Sequence, residues 1–335
     1  MSNEGAENLN NKNDQELLDG VQEKNASAGC QADFLLIGAA GFIGSAVYRA
    51  LSGVGTVSVL DNLSFGRRSN IDIPDERFLN VDILDAKGVA EAVRAVAPRW
   101  VIHLAALHYI PYCNAHPYEA SNINLIGTLN VLDALVGVPS VEKVFFASTA
   151  AVYADSPTPT SETSTVGPMD IYGLTKYLGE RLINEFHLKS GIPCVIGRLF
   201  NAYGPRETNP HLVPEIHRQI VEGNRKIQLG NIETRRDYIH VSDMSRAIVQ
   251  LTQLKEEGVE VYNIGTGVSY TARDIVESFE RAADCKLEIT VASDRVRKQD
   301  RMLLQANIDK IKGRIGWEPK MELQQGIDDL VRNEA

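Results

Sequence analysis

Cysteine is scarce and scattered in this chain. Cys30, Cys113, Cys194 and Cys285 stand far apart with no CxxC pair, which excludes a zinc ribbon and the disulfide framework of a small secreted domain, and fits a reducing compartment. The histidines show no HExxH spacing, so a zinc-peptidase helix is excluded as well. No apolar run approaches the roughly 20 residues of a membrane span, and the amino terminus lacks the charged-then-apolar pattern of a secretory leader. Positive charge is short too: 34 Lys and Arg against 44 Asp and Glu leave a formal charge of -10, which argues against a general nucleic-acid face. A small anion held by a few local arginines and backbone amides stays possible. Together these absences point to a cytoplasmic enzyme or binding protein.

What is present reads as a globular α/β chain. Residues 1–31 are rich in Asn, Glu and Gly with few aliphatics and no sustained period, the composition of a disordered leader. From Ala32 onward, strand-like runs alternate with amphipathic ones. "DFLLIG" (33–38), "TVSVLD" (56–61), "RFLNVD" (77–82), "WVIHLA" (100–105), "KVFFAS" (143–148) and "CVIGRL" (194–199) read as strands, several apolar throughout, as strands buried on both faces of a parallel sheet are. Helical patterns fill the gaps at Gly44–Leu51, Ala86–Ala97, Tyr118–Val136 and Asp170–Lys189. Repeated alternation predicts a doubly wound (Rossmann) parallel sheet. Beyond residue 200 the alternation loosens around Pro205, Pro210 and Pro214. This divides the chain into a dinucleotide-binding domain over 32–200 and a smaller, mainly substrate-binding domain over 201–335. "VYNIG" (261–265) is expected to return to the main sheet.

"LLIGAAGFIGSAV" places Gly38, Gly41 and Gly44 between a strand and a helix. Glycine allows the tight turn, lets the backbone approach a pyrophosphate and lets the helix sit close to the strand. The phosphates then rest against the helix N-terminus. Asp61 ends the next strand, 23 positions after Gly38. An aspartate there accepts hydrogen bonds from an adenosine ribose and repels a 2′-phosphate, which favours NAD over NADP. Arg67 and Arg68, slightly downstream, are the one hint toward NADP; otherwise they form a solvated turn.

"DIYGLTKYLGERLINEF" carries Tyr172 and Lys176 four residues apart, on one helical face. A free tyrosine, with a pKa near 10, is a poor base at neutral pH. Bringing it down to about 7 takes roughly 4 kcal/mol, within reach of close charges in a dry cleft. The motif alone is common, but Ser148 and Thr149 end a strand about 25 residues earlier, after the glycine loop. Glycine loop, strand-end Ser/Thr and YxxxK in this order resemble the short-chain dehydrogenase/reductase superfamily, in particular its extended branch acting on nucleotide sugars. "GAAGFIG", "VLDNLS", "VIHLAA", "NINLIGTLNVL", "ASTAAVY", "GRLFNAYGPR", "RRDYIHVSD", "YNIGTG" and "GRIGWEP" carry the resemblance from residue 33 to about 330.

The resemblance implies bound NAD. Phe42 and Ile43 would follow the phosphate turn, Asp61 and Asn62 hold the adenosine ribose, and Asp82 and Ile83 flank the adenine. Leu104, Ala105 and Ala106 would line the cofactor, with Asn124 supporting the catalytic lysine. Thr149 would bond the reacting sugar oxygen, Tyr172 act as acid/base, and Lys176 serve as its electrostatic partner and ribose anchor. Asn201, Leu229, Arg236, Tyr238 and Arg297 match positions around the nucleotide. The arginines make chemical sense because guanidinium donates paired hydrogen bonds to phosphate oxygens. For Arg236 the structural alternative is an ion pair with Asp237 or Asp243, and for Arg297 a register error would bring in Arg295 or Lys298. His103 and His240 read as satisfied structural histidines. His108 stands where galactose-type epimerases carry a lysine near the substrate, so contact and packing both stay open. Ile171 and Ala154 also depart from the family pattern, where many relatives have proline and glycine.

Enzymes of this kind oxidise C4 of the sugar, and the residues after the Ser-Thr pair steer the fate of the keto sugar. Dehydratases place Asp-Glu there, and decarboxylases keep a glutamate at the second position. Here they are Ala150 and Ala151, and neither moves a proton, a contribution typically of about 10²–10⁴-fold. The resemblance thus implies a nucleoside-diphosphate-sugar 4-epimerase, with a UDP-hexose as the expected substrate and a transient 4-keto sugar. The alternatives are a 4,6-dehydratase or UDP-glucuronate decarboxylase using another acid such as His108, and a non-catalytic NAD-binding scaffold. Family members commonly dimerise through two helices, matched here by Tyr118–Val136 and Asp170–Lys189, so a homodimer is expected.

Overall fold

The computed structural model describes residues 32–207, 209–296 and 300–333; the expected leader and Arg297 lie outside them. The chain begins with β1 (Phe34–Ile37), whose residues alternate between two apolar layers: Phe34 and Leu36 enter one, Leu35 and Ile37 the other. That is the period of two expected of a strand covered on both faces. Helix α1 (Phe42–Ala50), β2 (Val57–Leu60) and the short β3 (Phe78–Leu79) follow, then α2 (Ala86–Val96) and β4 (Trp100–His103). Of the expected strand 77–82 only two residues pair, Phe78 and Leu79 against Val59 and Leu60.

The segment expected as one helix over 118–136 is three pieces. A short helix α3 (Ile110–Ala115) precedes α4 (Pro117–Ser121), a π-helical stretch (Asn122–Gly127) and α5 (Thr128–Leu135). Such wide turns recur at functional sites. Strand β5 (Lys143–Thr149) is buried throughout and leads through one turn, Ala150–Val152, toward α6 (Ile171–Ser190). The Asp170 carboxylate caps α6 by accepting from Gly173 N at 2.7 Å, and Gly191 ends it with φ of 73°. Gly179 lets α6 lie close on β5, since a Cβ there would sit 2.6 Å from the Phe146 ring.

After β6 (Cys194–Leu199) come β7 (Asn201–Tyr203), α7 (Leu212–Val221), β8 (Lys226–Leu229), β9 (Arg235–His240), α8 (Val241–Gln253) and β10 (Val259–Ile264). Strand β10 returns to the main sheet as expected. Its order is β10-β6-β5-β4-β1-β2-β3, with every pair parallel. Val47 of α1 and Met244 and Ile248 of α8 cover one face, while Val89, Val131 and Ile183 from α2, α5 and α6 cover the other. The order reverses between β1 and β4, and such a reversal leaves a crevice at the carboxyl ends of the strands.

The remaining elements are β11 (Ser269–Tyr270), α9 (Ala272–Ala282), β12 (Glu288–Val291), β13 (Leu303–Leu304), α10 (Asp309–Ile315) and α11 (Leu323–Asn333). Strands β7, β9, β11 and β13 form a second sheet, and β8 pairs with β12. A separate apolar cluster built on Tyr203, Ile216, Ile227 and Phe279 supports them.

Candidate active site

One cavity of about 1540 Å³ opens above the switch point and runs between the main sheet and the second one. At one end lies the glycine loop. Gly38 holds φ at 84°, and a Cβ on it would be 2.6 Å from Ala105 N; a Cβ on Gly44 would be 2.0 Å from Gly38 O. Both positions are closed to any side chain by the protein's own backbone. Gly41 differs: its nearest neighbour to a Cβ would be 3.7 Å away, it faces the cavity, and no side chain caps the α1 N-terminus that it begins. An uncapped helix start behind an open glycine is a cradle for a pyrophosphate.

Asp61 is buried at the end of β2, where its Oδ2 accepts from Ala40 N at 2.8 Å and its Oδ1 from Leu63 N at 2.8 Å. Burial raises its pKa, and those two amides oppose the rise. The carboxylate therefore ties the glycine loop to the strand end as well as facing the cavity. Asn62 donates to Asp82 at 2.8 Å, and the other Asp82 oxygen accepts from Leu84 N at 2.8 Å. Ile83 packs under Gly127. Phe42, Ile43, Asn62, Asp82, Ile83 and the run Leu104 to Ala106 all line this end. Arg68 donates to the carbonyls of Ile71 and Ile73 and to Asp75, so its guanidinium serves its own loop rather than a 2′-phosphate.

Thr149, Tyr172 and Lys176 all line the cavity wall, with Tyr172 within hydrogen-bonding reach of Thr149. Thr149 accepts from Ala151 N at 3.1 Å, fixing the alanine turn. Lys176 is buried with its Nζ 4.1 Å from the Phe146 ring centroid, and desolvation lowers its pKa to about 7. For Tyr172, burial pushes the phenol above its ordinary value, with a hydrogen bond to Thr149 opposing. In so dry a site the lysine itself loses charge, so the protein's own groups favour a protonated tyrosine.

Asn124, in the π-helical stretch, accepts from Leu107 N at 2.8 Å and donates to Leu107 O at 2.9 Å and Thr175 Oγ1 at 2.9 Å. It anchors the segment after β4 to α6 one residue before Lys176, a support by neighbour rather than by direct contact. Ser148 turns to the protein interior, donating to Glu180 at 2.5 Å; Glu180 in turn takes two bonds from Arg198, at 2.9 and 2.7 Å.

At the far end, Asn201, Leu229, Arg236, Tyr238 and His108 line the cavity. Asn201 pairs in register with Tyr238 across β7 and β9. Arg236 ion-pairs with Asp300, not with Asp237 or Asp243. Asp237 instead accepts from Thr266 and Gly267 N, and Asp243 binds Arg246. Arg295, the register neighbour of Arg297, also lines the cavity but donates to Glu215 at 2.6 Å. His103 bonds Thr128 at 3.1 Å through Nε2, and His240 bonds Ser242 at 2.7 Å through Nδ1. Each leaves its other ring nitrogen without a partner among the described residues, so the expectation of full satisfaction is half met.

Arg301, Glu207 and His211 also line the cavity and were not among the expected site residues. Arg301 is buried and donates to Ala151 O at 2.9 Å and Tyr153 O at 2.8 Å, holding the alanine turn from the C-terminal part. Glu207 and His211 pair with each other beside His108. Nothing local signals Arg301, whose partners are 148 and 150 positions away, whereas Glu207 and His211 stand four apart but belong to no short motif. Among the described residues no cluster fits a metal ion, and no helix is long and apolar enough to cross a membrane.

An α/β sheet with this phosphate cradle and a Thr149, Tyr172 and Lys176 set on the cavity wall defines an NAD-dependent enzyme of the extended dehydrogenase type. Residues 34–265 match the NAD dependent epimerase/dehydratase family, and the chain belongs to it. The chain is 31% identical to the UDP-glucose 4-epimerase of Rhizobium meliloti (strain 1021), over 87% of this chain and 93% of that one. The crystal structure of Thermus thermophilus UDP-glucose 4-epimerase complexed with NAD superposes with a TM-score of 0.82 at 31% identity, covering 90% of this chain and 99% of that one. UDP-glucose 4-epimerase from Thermotoga maritima, solved with UDP-glucose, gives a TM-score of 0.82 at 30% identity, covering 89% and 97%.

Proposed function

We propose that this chain, an NAD-dependent nucleoside-diphosphate-sugar 4-epimerase, takes a UDP-hexose, with Thr149, Tyr172 and Lys176 at the reacting carbon. The observation that carries the reading is the turn after Thr149: Ala150 and Ala151 are buried against the catalytic set, and neither can donate or accept a proton. Bound NAD supplies the hydride acceptor and donor and, when oxidised, a positive ring that favours the phenolate. Gly38, Gly41, Gly44, Phe42 and Ile43 would hold its pyrophosphate, Asp61 and Asn62 its adenosine ribose, and Asp82 and Ile83 its adenine.

Tyr172 takes the proton of the C4 hydroxyl, and Thr149 holds that oxygen. Lys176 moves no proton to the sugar; it sets the charge beside the phenol. With no acid at 150 or 151 to expel a neighbouring group, the keto sugar is reduced again on its other face. Arg236 and Tyr238 suit the diphosphate and nucleoside, and the likeness to UDP-glucose epimerases supports uridine. The roles assigned to 32–200 (NAD) and 201–335 (mainly substrate) follow from the same reading. We also infer a cytoplasmic homodimer, supported by the exposed apolar side chains Ile126, Leu129, Leu174 and Leu178 on the two expected helices.

The test is incubation of purified protein with UDP-glucose, UDP-N-acetylglucosamine and UDP-glucuronate without added NAD. C4 epimers should interconvert with no NADH build-up, and Tyr172→Phe should slow this by about 10²–10⁴-fold. A stable 4-keto product or released CO2 would sink the epimerase reading, and no turnover of any sugar nucleotide would favour a scaffold.

A further inference from the structure

Arg301 stands two residues before β13 and is only 6% exposed. Its Nη2 donates to Ala151 O at 2.9 Å and to Tyr153 O at 2.8 Å, and its Nε to Tyr153 O at 3.0 Å. Among the described residues this guanidinium bonds main-chain carbonyls and no carboxylate. Ala151 is thereby held at both of its polar atoms, since its amide donates to Thr149 Oγ1 at 3.1 Å. The same carbonyl is where α6 comes down on the turn: a Cβ on Gly173, the residue after Tyr172, would lie 2.4 Å from Ala151 O. Thr149 and Tyr172 are hydrogen-bonded to each other. One residue, Ala151, therefore separates the grip of Arg301 from the Thr149–Tyr172 pair.

The grip is itself anchored. Arg301 N donates to Asp300 Oδ1 at 3.0 Å, and Asp300 also holds Arg236 and accepts from Asn231 at 3.1 Å. The turn that Arg301 holds, Ala150–Val152, is apolar throughout, so it has no side chain with which to satisfy its own buried carbonyls, and donors must come from elsewhere. An apolar side chain at 301 would fill the same space without the cost of burying a charge. A guanidinium adds direction, because its donors form a rigid planar fork. Its charge does not act on the phenol directly: the leading influences on Tyr172 are burial, Thr149, Cys113 and Asp170. Contact with an anionic part of the substrate is the competing use for a buried cation, and the three hydrogen bonds already made to Ala151 and Tyr153 oppose it.

We propose that Arg301 is a positioning residue for the reaction at C4: by gripping Ala151 and Tyr153 it fixes the turn after Thr149, and so sets the Thr149 hydroxyl and the Tyr172 phenol against the sugar oxygen they share. The inference rests on the reading that Thr149 and Tyr172 serve that oxygen. Arg301 moves no proton. Its work is geometric, and misplacing a reacting group by about 1 Å can cost roughly 10²-fold in rate. Loss of Arg301 therefore falls on kcat, whereas loss of a substrate contact falls on KM.

The test compares the native holoenzyme with Arg301→Met and Arg301→Lys in C4 interconversion of the UDP-sugars that it turns over. Arg301→Met should lower kcat by about 10–100-fold, with KM within about twofold of native and bound NAD retained. Arg301→Lys, which offers one ammonium to the two carbonyls, should give an intermediate kcat. On a Thr149→Val background, Arg301→Met should cost less than about threefold more, because the two residues act through one turn. The full loss repeated on that background overturns the route through Thr149. A raised KM with native kcat overturns the proposal in favour of direct contact with substrate. Native kcat in both variants overturns it whatever their stability to urea, and if Arg301→Met does not fold, native kcat in Arg301→Lys does so alone. Absence of C4 interconversion by the native chain with every sugar overturns it together with the reading beneath it.

Discussion

The two ends of the cavity are built from different materials. At the glycine-loop end the turn is fixed by main chain: Gly38 and Gly44 lie close against backbone atoms, and Asp61 is spent on the amides of Ala40 and Leu63. At the far end, proposed above to take the substrate, side chains are held by other side chains: Arg236 by Asp300, Arg295 by Glu215, His211 by Glu207. A backbone wall has one shape and admits one kind of ligand part. A wall of paired side chains can be changed residue by residue, which is where a family with a shared cofactor would vary its sugars.

The contrast breaks first at Gly44. With a Cβ 2.0 Å from Gly38 O, Gly44→Ala must displace backbone, and overpacking of that kind costs about 1–3 kcal/mol. NAD affinity should fall by roughly 5–150-fold, read by titration of the cofactor-free protein. Unchanged affinity would mean that the loop is not the rigid wall described. At the other end the expected effect is smaller and confined to substrate. Arg236→Ala should raise KM for the UDP-sugar roughly tenfold, the scale of one charge-assisted hydrogen bond, with kcat and NAD binding little changed. If Asp300→Asn reproduces the whole effect, the ion pair, rather than a contact with substrate, is what matters.

A pH-dependent effect lies between the two ends. Lys176 keeps its proton only up to about pH 7 in the folded protein, against an ordinary value of 10.5. Between those values the unfolded chain carries a proton that the folded chain has shed, so stability rises with pH across that window. Below pH 7 the buried charge is a full burden. Cofactor-free Lys176→Met, with no proton to lose, should therefore unfold at higher urea than the native chain at pH 6.5, and the gap should narrow by pH 9. A gap that does not change with pH would place the titration elsewhere.

Local features were legible in the sequence. Gly38, Gly41 and Gly44 sit at fixed short spacings, Tyr172 and Lys176 are one helical turn apart, and five of the six expected strands announce themselves by apolar runs, 77–82 shrinking to Phe78–Leu79. Even the return of 261–265 to the sheet could be read from its composition. Partners distant in the chain could not. Arg236 finds Asp300 at a separation of 64 residues, and His108 meets Asn209 at 101; nothing local distinguishes these from solvated charges. The widened turn at Asn122–Gly127 escaped for another reason: no short motif marks a π turn, and its link to α6, Asn124 to Thr175, spans 51 residues.

The place of β10 in the sheet bears on how the protein is made. Without Val259–Ile264, β6 would be a bare edge with its ladder unpaired, and bare edges invite association with other chains. On the ribosome, 65 residues separate the end of β6 at Leu199 from the end of β10 at Ile264. At the usual pace of about 5–20 residues per second, that leaves the nascent sheet open for roughly 3–13 s. A chain ended near residue 200 would keep that edge for good, so the glycine-loop half is poorly suited to being expressed as a separate piece.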